Sequence, residues 1–192
     1  IRLLDRLTDE NGDCAVPGIK STPWEGAEFT EEMLRPNAGI LEGVDLVGTG
    51  DIASRLWSKP SISVLGLDAP SVAEAGNVLH NKAAAVVAMR IPAGQDARDA
   101  MDKLVEFLTS QTPGNARVTV TENKLSPAFS QGTDGLAFAK MATAMEQAYG
   151  RAVTNVGSGG SITLLHTLRA ASPAADFVLF GAEDQQKSAI HG

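Results

Sequence analysis

Cysteine, histidine and aromatic side chains are all scarce in this sequence. The 192-residue chain has one cysteine (Cys14), three histidines (His80, His166, His191) and only 5% aromatic residues. A single cysteine excludes an internal disulfide and any multi-cysteine zinc site, and it fits a reducing, cytoplasmic compartment. Three histidines cannot build a closed zinc site by themselves. No apolar run approaches the roughly 20 residues that a membrane-spanning helix needs. Basic residues are outnumbered, sixteen against twenty-three acidic ones, for a net charge of −7. That balance argues against a non-specific grip on nucleic acid or an anionic membrane surface, both of which need clustered Lys and Arg. What is present is 43% apolar and 20% charged residues, the composition of a chain that builds a packed core.

The chain opens without methionine, and Ile1, Leu3, Leu4 and Leu7 already follow helical spacing over residues 1–10. No signal-peptide pattern precedes them. At the other end Phe177-Val178-Leu179-Phe180-Gly181 reads as a buried strand, with His191-Gly192 a short loop later. These ends lead to the expectation of an internal piece of a longer enzyme.

Asn11-Gly12-Asp13 is a turn signal. Thr30 is placed to cap a short helix through Arg35, and Asp51 another that carries Leu56 and Trp57. Pro60 introduces a strand over residues 62–67, and residues 83–92 form a second. In that second strand Val87, Met89 and Ile91 face one way and Val86, Ala88 and Arg90 the other. Asp96 reads as the N-cap of a helix whose apolar face holds Met101, Leu104, Val105 and Leu108. A third strand is expected over residues 117–121. Order α-β-β-α-β, completed by one strand before Ile1, gives a ferredoxin-like βαββαβ two-layer sandwich. After about residue 130 the pattern changes. Asp134 is expected to cap a helix that buries Phe138, Met141, Ala142, Met145 and Tyr149 and stops at Gly150. A strand over 152–156, a glycine turn, a helix over 162–171 and a strand over 176–181 make a βαβ unit of a parallel sheet. The fold class is therefore α/β (α+β), with a domain boundary near residues 126–133.

Four features invite chemistry, each with a structural alternative. Gly157-Ser158-Gly159-Gly160-Ser161 lies between strand and helix, where free N–H groups and the helix dipole suit a carboxylate or phosphate; it also reads as a tight βα turn with Ser161 as N-cap. His191 follows a buried strand at the carboxyl edge of a parallel sheet, a position for a metal-binding imidazole or for a solvated one. Arg90 ends an apolar strand, where a guanidinium grips a substrate carboxylate or lays its stem on the sheet edge. Asn77 reads as a turn residue or as a polar contact to the same ligand. His80 and His166 take no role, and Cys14 has no histidine partner that would make it a nucleophile.

In order along the chain, these pieces resemble one family. Trp57-Ser58-Lys59-Pro60-Ser61-Ile62-Ser63-Val64-Leu65-Gly66 is similar to the start of the lid domain in zinc dipeptidases of the carnosinase, aminoacylase and glutamate-carboxypeptidase family. Asn77, then Met89-Arg90-Ile91-Pro92-Ala93-Gly94-Gln95-Asp96, then Gly159-Gly160-Ser161-Ile162 and Ser188-Ala189-Ile190-His191-Gly192 continue the match over nearly the whole chain. Thr163 stands where the family generally has proline, and His80-Asn81 replace a more apolar pair.

The resemblance implies a two-zinc catalytic domain interrupted by a lid that carries a homodimer contact. Residues 1–130 would be the lid, lacking its first strand, and 131–192 part of the catalytic domain. It assigns His191 to a zinc-ligand position, Arg90 to the substrate's free carboxylate, Asn77 to substrate, and Gly160 and Ser161 to the turn that meets the same carboxylate. Two zinc ions per protomer are implied, with manganese or cobalt as alternatives. The implied reaction is hydrolysis of dipeptides by metal-activated water. The remaining ligands, the general-base glutamate and a lid histidine given across the dimer would lie upstream of Ile1, so this piece alone is expected to be inactive. Two other readings stay open: an amidohydrolase that deacylates N-acyl amino acids, and a non-enzymatic ferredoxin-like module that dimerises or binds a small ligand.

Overall fold

A computed structural model describes residues 1–110, 112–157 and 162–180. The apolar spacing after Asp96 produces the helix on which the rest is assembled. Helix α4 (Ala97–Ser110) starts where the Asp96 carboxylate accepts from Asp99 N at 2.8 Å. It buries Ala97, Ala100, Leu104, Phe107 and Leu108, a stripe at helical spacing. Phe107 therefore joins the expected face, while Met101 and Val105 are half-buried on its flank. Leu104, Phe107 and Leu108 pack with Leu7 and Val16, and Ile62, Val87, Met89 and Val120 close around them. Each such side chain removed from water contributes about 1.5–3 kcal/mol.

The sheet against which α4 packs has two strands, β1 (Ser61–Asp68) and β2 (Ala84–Arg90). They pair antiparallel from Ser61↔Arg90 to Asp68↔Ala84, with a bulge between Val64 and Gly66. Alternation puts Ile62, Val87 and Met89 on the α4 side as expected. Beyond the bulge the hairpin leaves the core: Leu65 is 67% and Leu67 55% exposed.

Residues 117–121 form no ladder, contrary to the expected third strand. Val120 packs on the core, and Arg98, at the start of α4, holds Glu122 by two bonds of 2.8 Å. That grip returns the end of the segment to the end of the hairpin where β2 finishes, the direction of a parallel strand after a crossover helix. In a split β-α-β arrangement such a strand pairs with a strand lying between it and the first one. None of the described residues supplies that intervening strand. The paired charges hold the Glu122 carboxyl below its ordinary value and raise the Arg98 guanidinium.

The short helices α2 (Glu31–Ala38) and α3 (Ile52–Trp57) form where their caps direct: Thr30 Oγ1 accepts from Met33 N at 3.3 Å, and Asp51 Oδ1 from Ser54 N at 2.8 Å. The opening helix is shorter than its spacing implies. Only α1 (Arg2–Asp5) is helical, because the Asp9 carboxylate accepts from Asn11 N and Asp13 N and turns the chain. That turn presents Asp13 to Lys59 at 2.6 Å, and Thr49 N donates to the same carboxylate at 3.1 Å. Lys59 also donates to Thr49 O at 2.8 Å. Three segments distant in sequence are thus tied at the base of β1.

In the C-terminal third, α5 (Leu136–Tyr149) begins one residue later than expected, with Gly135 rather than Asp134 at its N-cap and no side-chain capping bond. It ends at Gly150, whose φ of 66° is the left-handed stop that glycine favours. Phe138, Met141, Ala142 and Met145 are half-buried, whereas Tyr149 is 75% exposed, against expectation. Helix α6 (Thr163–Ala171) comes next, with Leu165 buried. Residues 152–156 and 176–180 are not strands. Side chains and loops take their backbone bonds instead: Asn155 O accepts from Ala27 N at 3.2 Å, and Gln131 accepts from Phe177 N at 3.4 Å and donates to Phe177 O.

Burial alone would push the Asp13 carboxyl up, but the bonds from Lys59 and Thr49 outweigh it and hold it below its ordinary value. A depressed folded value means stability fully present above the unfolded carboxyl's value of about 3.9 and lost as pH falls through the lower folded one. Asp13→Asn is expected to cost about 1–3 kcal/mol at neutral pH and to flatten this acid limb. Urea denaturation of both proteins between neutral and acid pH measures it; a variant as stable as the parent at neutral pH contradicts the assignment.

Candidate functional site

Arg90 and Asn77 lie at opposite ends of the β1–β2 hairpin. Arg90 is the last residue of β2, paired with Ser61 beside the core, whereas Asn77 lies in the loop beyond the Asp68↔Ala84 pair. The ladder between them has a rise of about 3.3 Å per residue, which separates the two ends by roughly 20 Å. Within one protomer the fold does not bring these two residues to one small ligand. The loop that carries Asn77 is exposed, with Val78 at 73% and Leu79 at 97%. Beside it Asp68, Glu74, His80 and Lys82 line a shallow groove at the hairpin tip.

Gly160, Ser161 and His191 lie outside the described residues. Gly157, the last described residue before that turn, rests under the Trp57 indole. Trp24 and Phe29 complete an aromatic group there, with ring centroids 4.7 and 5.4 Å from that of Trp57. Sequence reasoning singled out Trp57 only as part of a motif. The signal for its contact was the glycine at 157, which has no positive φ to explain it.

A second polar group that the sequence did not reveal gathers around Arg169 of α6. Its guanidinium lies 4.7 Å from the Phe177 ring centroid and 5.8 Å from that of Phe129. It donates to Pro173 O at 3.0 Å, Ala175 O at 2.9 Å and Gln131 Oε1 at 2.5 Å. His166 Nε2 lies 3.0 Å from Pro127 O, and its ring meets Phe129 edge-on. This set, His166 included, joins the 127–131 segment to α6 and to the chain just after it.

Cys14 is half-buried; burial pushes its thiol up, and the neighbouring Asp13 charge adds to that, the opposite of an activated nucleophile. Among the described residues no group of three or more His, Cys, Asp or Glu side chains could hold a metal ion. The described residues do not fit a two-metal centre.

Residues 1–116 match the M20 peptidase dimerisation domain. The chain belongs to this family. It is also 35% identical, over its whole length, to a cysteinylglycine-S-conjugate dipeptidase of Corynebacterium striatum. Among solved structures it is similar to a di-peptidase of Saccharomyces cerevisiae (TM-score 0.64, 20% identity) and to human carnosine dipeptidase 1 (TM-score 0.64, 19% identity), with 88% of this chain covered in each. An M20 family metallo-carboxypeptidase of Sulfolobus solfataricus matches 84% of the chain at a TM-score of 0.60 and 15% identity. At these identities the solved structures establish the fold, a mixed α/β domain of the M20 dimerisation type. The chain spans 43% of the Corynebacterium relative and 38–44% of the three solved chains.

Arg169→Met is expected to lower the stability of the chain by about 1–3 kcal/mol, because it removes three charge-assisted bonds and the aromatic contact together. Arg169→Lys recovers little of this, since an ammonium has neither the flat face that lies against the rings nor the planar fork that reaches three separate acceptors. Urea midpoints of the three proteins decide it; a lysine variant equal to the parent contradicts the stacked geometry.

Proposed function

We propose that this chain forms the dimerisation lid and the adjoining start of the catalytic domain of a metal-dependent dipeptidase, with the boundary near residues 126–133. Its substrates are dipeptides with a free C-terminal carboxylate. The observation that carries this reading is 35% identity along the entire chain to a dipeptidase, together with the dimerisation-domain match. The exposed apolar residues Leu65, Leu67, Val72, Val78 and Leu79 on and beyond the distal hairpin support a homodimer formed through this domain.

In this reading Arg90 grips the carboxylate in two-pronged fashion, Gly160 and Ser161 meet it through the helix terminus, and Asn77 contacts substrate. The separation of Arg90 from Asn77 along the hairpin assigns them to sites in different protomers. His191 is proposed as a single ligand of one zinc ion. The described residues hold no further ligands, so no hydrolytic step is assigned to them and the 192-residue chain by itself is inactive.

The test compares the longer protein that carries this sequence with the 192-residue chain, each assayed for bound metal and for cleavage of three substrate types. The expected result is cleavage of dipeptides by the longer protein, lost with a chelator, and none by the shorter chain. C-terminally amidated dipeptides should react on the order of 100-fold less well, since Arg90 then faces no charge. Cleavage of N-acyl amino acids with dipeptides untouched would move the protein to the deacylases. Absence of bound metal from an active longer protein would overturn the mechanism.

A further inference from the structure

Among the described residues, Arg35, Arg55, Lys59, Lys103 and Arg169 are the half-buried cations. Arg35, Lys59 and Lys103 each lie on a carboxylate, and Arg169 lies against two aromatic rings. Arg55 of α3 has neither kind of partner there. Its guanidinium donates from Nε to Gly50 O at 2.8 Å, which fixes the plane of the group and leaves its two terminal nitrogens for another acceptor. The side chain runs past Gly48, where a methyl group would stand 3.7 Å from Arg55 Cδ and 3.2 Å from Asp13 Oδ1. The Asp13 charge is already matched by Lys59 at 2.6 Å, so the charge of Arg55 has no counterion.

Arg55 lies in the wall of a cavity of about 300 Å³ between α2, α3, the 46–48 loop and the start of β1. Leu34, Leu46, Val47, Ile52, Leu56 and Ile62 give that cavity an apolar lining. Its walls are pinned before any ligand arrives. Gly48 N donates to Asn11 O at 2.6 Å, Thr49 N to Asp13 Oδ2 at 3.1 Å, and Arg35 to Val44 O at 3.0 Å. A preformed apolar space with one oriented polar group is the pattern of a small-molecule site.

We propose that this cavity binds a short aliphatic monocarboxylate, its carbon chain among the apolar side chains and its carboxylate on the terminal nitrogens of Arg55. The planar fork of a guanidinium matches a carboxylate in two-pronged fashion. A phosphate asks for more donors than this wall offers, a cation is repelled by Arg55, and an uncharged molecule leaves the guanidinium unmatched. The volume equals that of roughly ten water molecules, which suits a short chain rather than a fatty acyl tail. Ser61, in the β1 wall of the cavity, pairs with Arg90, so the two guanidinium groups must be told apart by experiment.

The experiment titrates 4-methylpentanoate, its amide and acetate into the longer protein that carries this sequence, with affinity read by saturation-transfer NMR. The acid is expected to bind with a Kd on the order of 1 mM or tighter, with the strongest transfer to its methyl groups. The amide is expected to bind on the order of 10-fold or more weakly, and acetate, which has no chain to bury, weaker still. Arg55→Gln is expected to bring the acid down to the level of the amide. Val47→Phe, at a position 76% exposed and so outside the core, is expected to fill the cavity and abolish binding. Arg90→Gln is expected to leave the affinity unchanged. Equal affinity for acid and amide, or no saturable binding of the acid, overturns the proposal. Binding lost in Arg90→Gln and kept in Arg55→Gln also overturns it, because the acid then occupies the proposed substrate site.

Discussion

Burial of one face of α4 against the base of the β1–β2 hairpin and the opening segment organises everything else in the first 116 residues. Leu104, Phe107 and Leu108 require an apolar partner surface, and Leu7, Val16, Ile62, Val87 and Met89 supply it from separate stretches of chain. The Asp13–Lys59–Thr49 cluster then fixes the loop before α3 to the start of β1. Outside this core little is fully buried. Large apolar side chains of the hairpin and its loop, Leu65, Leu67, Val78 and Leu79 among them, stay exposed.

Among the described residues, the C-terminal third is held to this core and to itself by a few specific contacts rather than by a sheet. Gln131 bonds both backbone groups of Phe177, Arg169 lies against both Phe129 and Phe177, and Trp57 covers Gly157. Each of these substitutes a side chain for a ladder or a core. The dimerisation match ends at residue 116, so the segments that make these contacts from residue 127 onward lie beyond it.

Local rules were legible wherever the interaction was local. Thr30, Asp51 and Asp96 each cap the helix that their spacing implied, Gly150 stops α5, and the alternation of β2 puts Val87 and Met89 inward. Strand propensity over 117–121, 152–156 and 176–180 did not produce strands, because a strand exists only where a neighbour offers its backbone. Asp134 gave way to Gly135 as a cap, and Asp9 ended the first helix early by bonding its own turn. The separation of Asn77 from Arg90 was invisible in sequence because it depends on which end of a hairpin each occupies. The aromatic seat on Gly157 and the Arg169 stack join residues far apart in the chain, and no spacing rule points to them.

Amide hydrogen exchange across the 192-residue chain tests most directly the central claim, that among the described residues a two-stranded hairpin under α4 is the whole of the sheet. Exchange is expected to be slow within α4 and at the ladder positions of Val87 and Met89 beside the core, and fast from Arg117 to Thr121. Protection over 117–121 equal to that of β2 would mean that a third strand is paired there, and would contradict the account.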